Sequence, residues 1–266
     1  MPKQNNIKAA RYGFSLIELA ICFTIIALLL GSVLAISGRA IETSKHTQTI
    51  RKMQTIEAAL RVFANSYDYL PCPAQTLNFS DGNLGVQRLN GGHPNPSGCD
   101  GVNGNTTGGV YSGDVPFMAL QLSADYLVDG WGRRFTYIVD QNVVGTKISA
   151  VDVANINIII KDGRDNPATT ASAALRSDST NGGNTITQNA AYVLMSHGPN
   201  GSYAYNARGT NYFDVSGGVN EDRNCPPSRS CSGTYWNNIF IDGANSKEDG
   251  FVFDDILIYK KKDELK

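Results

Sequence analysis

The chain has 266 residues, a formal net charge of −1 and 41% hydrophobic content. Its lysines are scattered rather than clustered, which excludes a basic footprint for nucleic acid, and no nucleic-acid partner is expected. Gly-x-Ser-x-Gly, His-Glu-x-x-His and phosphate-cradling glycine motifs are absent, and Ser196 beside His197 in sequence does not make a nucleophile with its base, so the chain is not read as an enzyme.

Residues 1–13 form a short leader with Lys3, Lys8 and Arg11 and no acidic residue. The run from Phe14 to Ile36, FSLIELAICFTIIALLLGSVLAI, follows with Glu18 as its one charge. At about 1.5 Å per residue it reaches roughly 34 Å, enough for a transmembrane helix over 14–36. The leader's charge places the N-terminus in the cytoplasm and everything after Ile36 outside. The run is too long for the apolar core of a cleaved secretory signal peptide. A carboxylate inside a span costs about 2.5–3.5 kcal/mol, so Glu18 either snorkels to the headgroups or finds a partner. No basic side chain of this chain is placed to serve, which makes an intermolecular partner the sharper reading. Gly13, just before the run, leaves the backbone open to a protease cleft.

Gly13-Phe14-Ser15-Leu16-Ile17-Glu18-Leu19 resembles the processing motif of type IV prepilins and type II secretion pseudopilins. The resemblance implies that a prepilin peptidase cuts after Gly13 and methylates the new N-terminus at Phe14, and that Glu18 guides assembly by pairing with that amine on a neighbouring copy. It further implies an α+β, pilin-like fold, with a long N-terminal helix packed on a mainly antiparallel sheet. The implied partners are the peptidase, other pilin or pseudopilin subunits and the inner-membrane assembly machinery. The implied role is a pseudopilin or minor pilin in a periplasmic filament, with type II secretion as the leading system. A filament-tip adhesin or a ligand- or DNA-binding minor pilin, working through long loops, is the alternative. A membrane-anchored enzyme tethered by the same span is the third reading.

Beyond the span, residues 37–68 keep helical rhythm. Ile50, Met53, Ile56, Leu60, Phe63 and Tyr67 recur every three or four positions, and Glu57 with Arg61 makes a favourable i,i+4 pair. No proline interrupts before Pro71, so one helix from Phe14 to about Ser66, roughly 80 Å long, is expected. Its apolar stripe should hold a globular domain.

Residues 69–266 read as that β-rich periplasmic domain. Residues 78–113, rich in Gly, Asn, Ser and Thr, read as a long loop, and 161–187 as a second surface excursion. Strand candidates are 134–139, 156–161, 190–195, 238–241 and 251–259. The closing KKKDELK reads as a solvated tail.

Cys22 falls in the span and should stay a packed thiol. Cys72, Cys99, Cys225 and Cys231 lie on the side where disulfides persist, with three connectivities open. Cys72–Cys99 and Cys225–Cys231 are favoured because each closes a loop with little apolar content. A zinc site is the competitor, although Cys-x-x-Cys spacing is lacking.

Asp129-Gly130-Trp131-Gly132 resembles the Asp-Pro-Trp-Gly turn of major pseudopilins, with glycine for proline. Ser196-His197-Gly198-Pro199-Asn200-Gly201 and the doublet Asp254-Asp255 resemble their Ser-x-Gly-Ala-Asp-Gly loop and acidic doublet, a region that binds calcium in those relatives. The resemblance implies calcium as the candidate cofactor, with Ser196, Asn200 and Asp254 as its oxygen ligands. Two departures stand out: Asn200 replaces an aspartate, and some fifty residues separate loop from doublet. An ordinary polar turn is the other reading of the loop. Asp242 to Asp249 is a separate acidic turn without EF-hand spacing.

Overall fold

The computed structural model describes residues 15–76, 80–89, 98–99, 109–162, 184–209, 221, 223–225, 238–243 and 253–266. For residues 29–37 and 39 it describes the backbone alone. Residues Met1–Ser44 and Lys45–Lys266 form two compact units. The expected continuous helix is present as α1, Leu16–Tyr67, 52 residues long.

In the first unit α1 turns Leu16, Ile17, Phe23 and Leu28 outward, and Leu16 is 89% exposed. Among the described residues no helix is long and apolar enough to cross a membrane. The side chains from residue 29 to residue 37, the second half of the expected span, lie outside those described.

In the second unit the apolar stripe does what its period implies. Met53, Ile56, Leu60, Phe63 and Ala64 are buried, while Tyr67 at the end of the stripe is half exposed. Arg61 and Glu57 pair at 2.8 Å on the outer face. The helix ends where Asp68 takes a left-handed φ of 58° and its N–H donates to Ala64 O at 2.9 Å.

The sheet contains β1 (Val110–Asp114), β2 (Thr136–Asp140), β3 (Ile158–Lys161), β4 (Thr185–Ser196), β5 (Ile239–Ile241) and β6 (Ile256–Lys261). The order is β1-β2-β4-β3-β5, with β6 pairing β4. Pairing is antiparallel except for β3 with β5, which run parallel, so the sheet is mixed rather than purely antiparallel. The chain is therefore α+β. Alternation along the strands sends Tyr137, Val139, Tyr192 and Leu194 into the core cluster that contains the α1 stripe. Their neighbours Ile138, Val193 and Met195 join Ile158, Ile160 and Phe240 in a second cluster. Burial on both faces explains why β2 and the C-terminal half of β4 carry hardly any exposed polar positions.

Two expectations need correction. β1 lies at the end of the stretch read as loop, because its Val-Tyr-Ser-Gly-Asp sequence has weak alternation and is held by pairing with β2 from Val110↔Asp140 to Asp114↔Thr136. The rest of 78–113 is described only at 80–89, 98–99 and 109, and 163–183 lies outside the described residues. The terminal KKKDELK is not a solvated tail. β6 runs through Lys261, Lys262–Glu264 form a short 3-10 turn, Leu265 is buried in the main core, and Lys266 pairs with Asp68 at 2.8 Å. Pairing of Lys260 and Lys261 with β4, the Lys266–Asp68 ion pair and the buried Leu265 together anchor this otherwise charged stretch.

Cys72 and Cys99 are joined, as favoured, with 27 residues of separation. Cys225 is also disulfide-bonded; its expected partner Cys231 lies outside the described residues.

Candidate functional site

Two adjoining structures in the second unit gather the polar side chains that the sequence singled out. The first is the turn Asp129–Arg133. Asp129 Oδ1 accepts from the N–H groups of Trp131 at 2.8 Å and Arg133 at 2.9 Å. Its Oδ2 accepts from Ser196 Oγ at 2.8 Å. Burial raises the Asp129 pKa, and these hydrogen bonds oppose the rise.

The turn is latched to α1. Gly130 N–H donates to Thr49 Oγ1 at 2.9 Å, and Thr49 Oγ1 donates to Lys45 O at 2.9 Å. Lys52 Nζ donates to the carbonyls of Asp125 and Val128, each at 2.8 Å. A Cβ on Gly130 would lie 2.2 Å from Lys45 O. Glycine at this position is thus explained: a proline would lose the N–H that Thr49 accepts and would push ring atoms into the helix backbone.

The second structure is the loop Ser196–Ser202 pressed against Asp254-Asp255. Arg133 Nη1 donates to the carbonyls of Gly198 and Pro199, and so holds the loop from one side. On the other side a Cβ on Gly198 would lie 2.2 Å from Asp254 O, and Gly198 also takes a φ of 58°. Only glycine fits there. His197 is buried, with Nε2 at 3.0 Å from Thr136 Oγ1 and Nδ1 at 3.8 Å from Asp255 Oδ1.

Three buried carboxylates converge on this loop, those of Glu221, Asp254 and Asp255. Their oxygens lie within 4.8 Å of one another. Asn200 bridges two of them: its N–H donates to Asp254 Oδ2 at 3.1 Å and its Nδ2 donates to Glu221 Oε1 at 2.6 Å. Asn200 Oδ1 accepts from Ser202 N–H at 2.9 Å, which fixes the amide's orientation. Asn224 Nδ2 donates to Asp255 Oδ2 at 2.8 Å and to Ile241 O at 3.0 Å, tying the cluster to β5. Glu221 Oε2 and Asp255 Oδ1 are buried and make no hydrogen bond among the described residues. Burial raises the pKa of Glu221, and the neighbouring Asp254 charge adds to it. Burial likewise raises that of Asp255 well above the usual range, with Glu221 and Asp254 reinforcing the shift.

Of the expected ligands, Asn200 and Asp254 are in the cluster, whereas the hydroxyl of Ser196 is engaged with Asp129. Glu221 and Asp255 complete the group; Asp255 was visible as half of the doublet, and Glu221 carried no signal beyond the Glu-Asp pair near Cys225. The residues fit a hard divalent cation. All the converging donors are oxygens, two of them buried without a hydrogen bond, and three carboxylates this close cannot all stay ionised without a countercharge. Asp242 of the separate acidic turn is described, and burial raises its pKa; Asn245, Glu248 and Asp249 lie outside the described residues.

At the other end of the chain, Glu18 lies in the first turn of α1, exposed and without an ion pair among the described residues. Gly13 and Phe14 lie outside them. Residues 8–34 match the prokaryotic N-terminal methylation motif. Neither the curated proteins nor the solved structures yield a match. The match over residues 8–34 is consistent with the type IV prepilin and pseudopilin family, and with a precursor that a prepilin peptidase processes.

Proposed function

We propose that this chain is a pilin-like structural subunit, a pseudopilin or minor pilin, with a role in type II protein secretion as the leading assignment. The motif over residues 8–34 carries the reading. In it, residues 14–36 sit in the bacterial inner membrane, with the leader in the cytoplasm and the β-rich unit in the periplasm. Prepilin peptidase cuts after Gly13 and methylates Phe14. The subunit then leaves the membrane for a filament of like subunits.

Three observations support it. The described apolar side chains at the start of α1 point outward, as a helix does whose surroundings are lipid or other helices. Glu18 has no ion-pair partner among the described residues, which leaves it available to a neighbour's Phe14 amine. The Cys72–Cys99 bridge belongs in an oxidising compartment. A structural role fits a chain without a catalytic motif. Calcium is the proposed ligand of the Glu221–Asp254–Asp255 cluster, where it would neutralise the carboxylates and brace the loop.

The test is the intact mass of the protein expressed with and without a prepilin peptidase. A chain that begins at methylated Phe14 only when the peptidase is present is the expected result. A chain that begins at Met1 in both cases would overturn the assignment and leave the apolar run as an anchor alone.

A further inference from the structure

We propose that Glu221 supplies a compensating carboxylate to a divalent-cation site, restoring the charge missing at Asn200, and that the bound ion ties the Cys225 segment to the loop Ser196–Ser202. The inference rests on the cation reading of the cluster and is independent of how the N-terminus is processed.

The loop and the acidic doublet alone bring two carboxylates, Asp254 and Asp255, together with the neutral amide of Asn200. Glu221 comes from outside both segments, 21 residues beyond Asn200, yet it is fully buried against them. A lone glutamate has no reason to enter such a place. Taking a carboxylate out of water and setting it beside the carboxylates of Asp254 and Asp255 is costly unless a countercharge answers it. The hydrogen bond from Asn200 goes to Oε1, while Oε2 is buried with no hydrogen bond among the described residues, as is Asp255 Oδ1. Three buried carboxylates that bring one oxygen each within 4.8 Å of the others, two of them with a further buried oxygen lacking a hydrogen bond, form the kind of all-oxygen cluster a hard cation takes. Asn200 turns its Nδ2 to Glu221 and its Oδ1 to Ser202 N–H, so it brings the cluster a neutral donor and no charge. The backbone carries the consequence outward: Asn224 N–H donates to Glu221 O at 3.0 Å, and Cys225, next in the chain, is disulfide-bonded. An ion held by Glu221 therefore fixes the same short segment that the disulfide fixes, from its other end.

The experiment is calorimetric calcium titration of the full chain in detergent after chelation, with thermal unfolding as a second readout. Wild type should bind calcium and unfold at a higher temperature with it. E221Q should weaken calcium affinity by about tenfold or more, and N200D in the E221Q background should recover most of the loss. E221D, which keeps the charge and withdraws it by one methylene, should also bind more weakly, and it serves if E221Q does not fold. Unchanged affinity in the folded Glu221 variants would overturn the role of Glu221 and leave a site built from the loop and doublet. No calcium effect on wild type would overturn the site altogether. Neither result alters the mass test of N-terminal processing, so failure of this inference and failure of the pilin reading are separable.

Discussion

Gly130 and Arg134 show two ways in which a single position holds the β-rich unit together. Gly130 makes room for Lys45 O and donates to Thr49. Gly130→Ala is expected to destabilise the protein by about 1–3 kcal/mol, read as a lower denaturation midpoint, because a Cβ at 2.2 Å forces backbone apart. Thr49→Val, which removes the hydroxyl that accepts from Gly130 N–H and donates to Lys45 O, should cost about 1 kcal/mol or more. Arg134 is wholly buried and pairs with Asp114 at 2.6 Å. Arg134→Met leaves that carboxylate buried without its cation, and a loss of about 3–5 kcal/mol in urea unfolding is expected. The Asp129 turn was readable from sequence through its resemblance to the Asp-Pro-Trp-Gly turn, and the structure holds it by short-range hydrogen bonds from Trp131 and Arg133 N–H to Asp129. Glu221 was not, since its meaning comes entirely from which distant carboxylates the fold places beside it.

Among the elements, α1 was the most readable. A period of three to four carries through Met53, Ile56 and Leu60, and each of these is fully buried. Leu60→Ala should therefore cost about 2–5 kcal/mol. Strands β2, β3, β5 and β6 and the C-terminal half of β4 were legible from their β-branched and aromatic runs, whereas Thr185–Thr187 of β4 fell in the stretch read as a surface excursion, and β1, with Ser and Gly in its middle, depends on its neighbour for its shape. The terminal segment misled because charge suggested solvent, while strand pairing of Lys260 and Lys261, burial of Leu265 and the Lys266–Asp68 pair hold it to the domain. Its pairing with the helix end has a pH signature. Asp68 is hydrogen-bonded and ion-paired to Lys266 and accepts from Ser149 Oγ at 2.6 Å, which together hold its pKa below the usual carboxylate value. A carboxylate depressed in the folded state adds stability above its unfolded pKa, and that stability disappears as pH falls through the folded one. Asp68→Asn should thus flatten the acid side of a stability profile while leaving its cluster-dependent part in place. Urea midpoints taken across the carboxylate range would show it.

For the molecule as a whole, the processing motif occupies residues 8–34 and the globular unit contributes a fold and a candidate cation site. The two parts make separable predictions. Glu18→Ala should leave cleavage after Gly13 intact, by mass, and reduce incorporation into filaments, by comparing sheared filaments with membrane fractions. Normal incorporation would remove the proposed pairing between Glu18 and a neighbour's Phe14. Replacing Cys72 and Cys99 together by serine should cost about 2–4 kcal/mol, since the bridge closes a loop with 27 residues of separation and little apolar content. The latch at Gly130 also sets a limit on trimming. Lys45, Thr49 and Lys52 all serve the turn that follows the short 3-10 helix Ala124–Leu127, so a shortened protein beginning at Lys45 retains these three helix contacts. One beginning at Arg51 discards Lys45 and Thr49 and strands the Gly130 amide. The helix therefore cannot be shaved back to the edge of its buried stripe: the earliest residues worth keeping are chosen by a hydroxyl and a carbonyl, not by hydrophobicity.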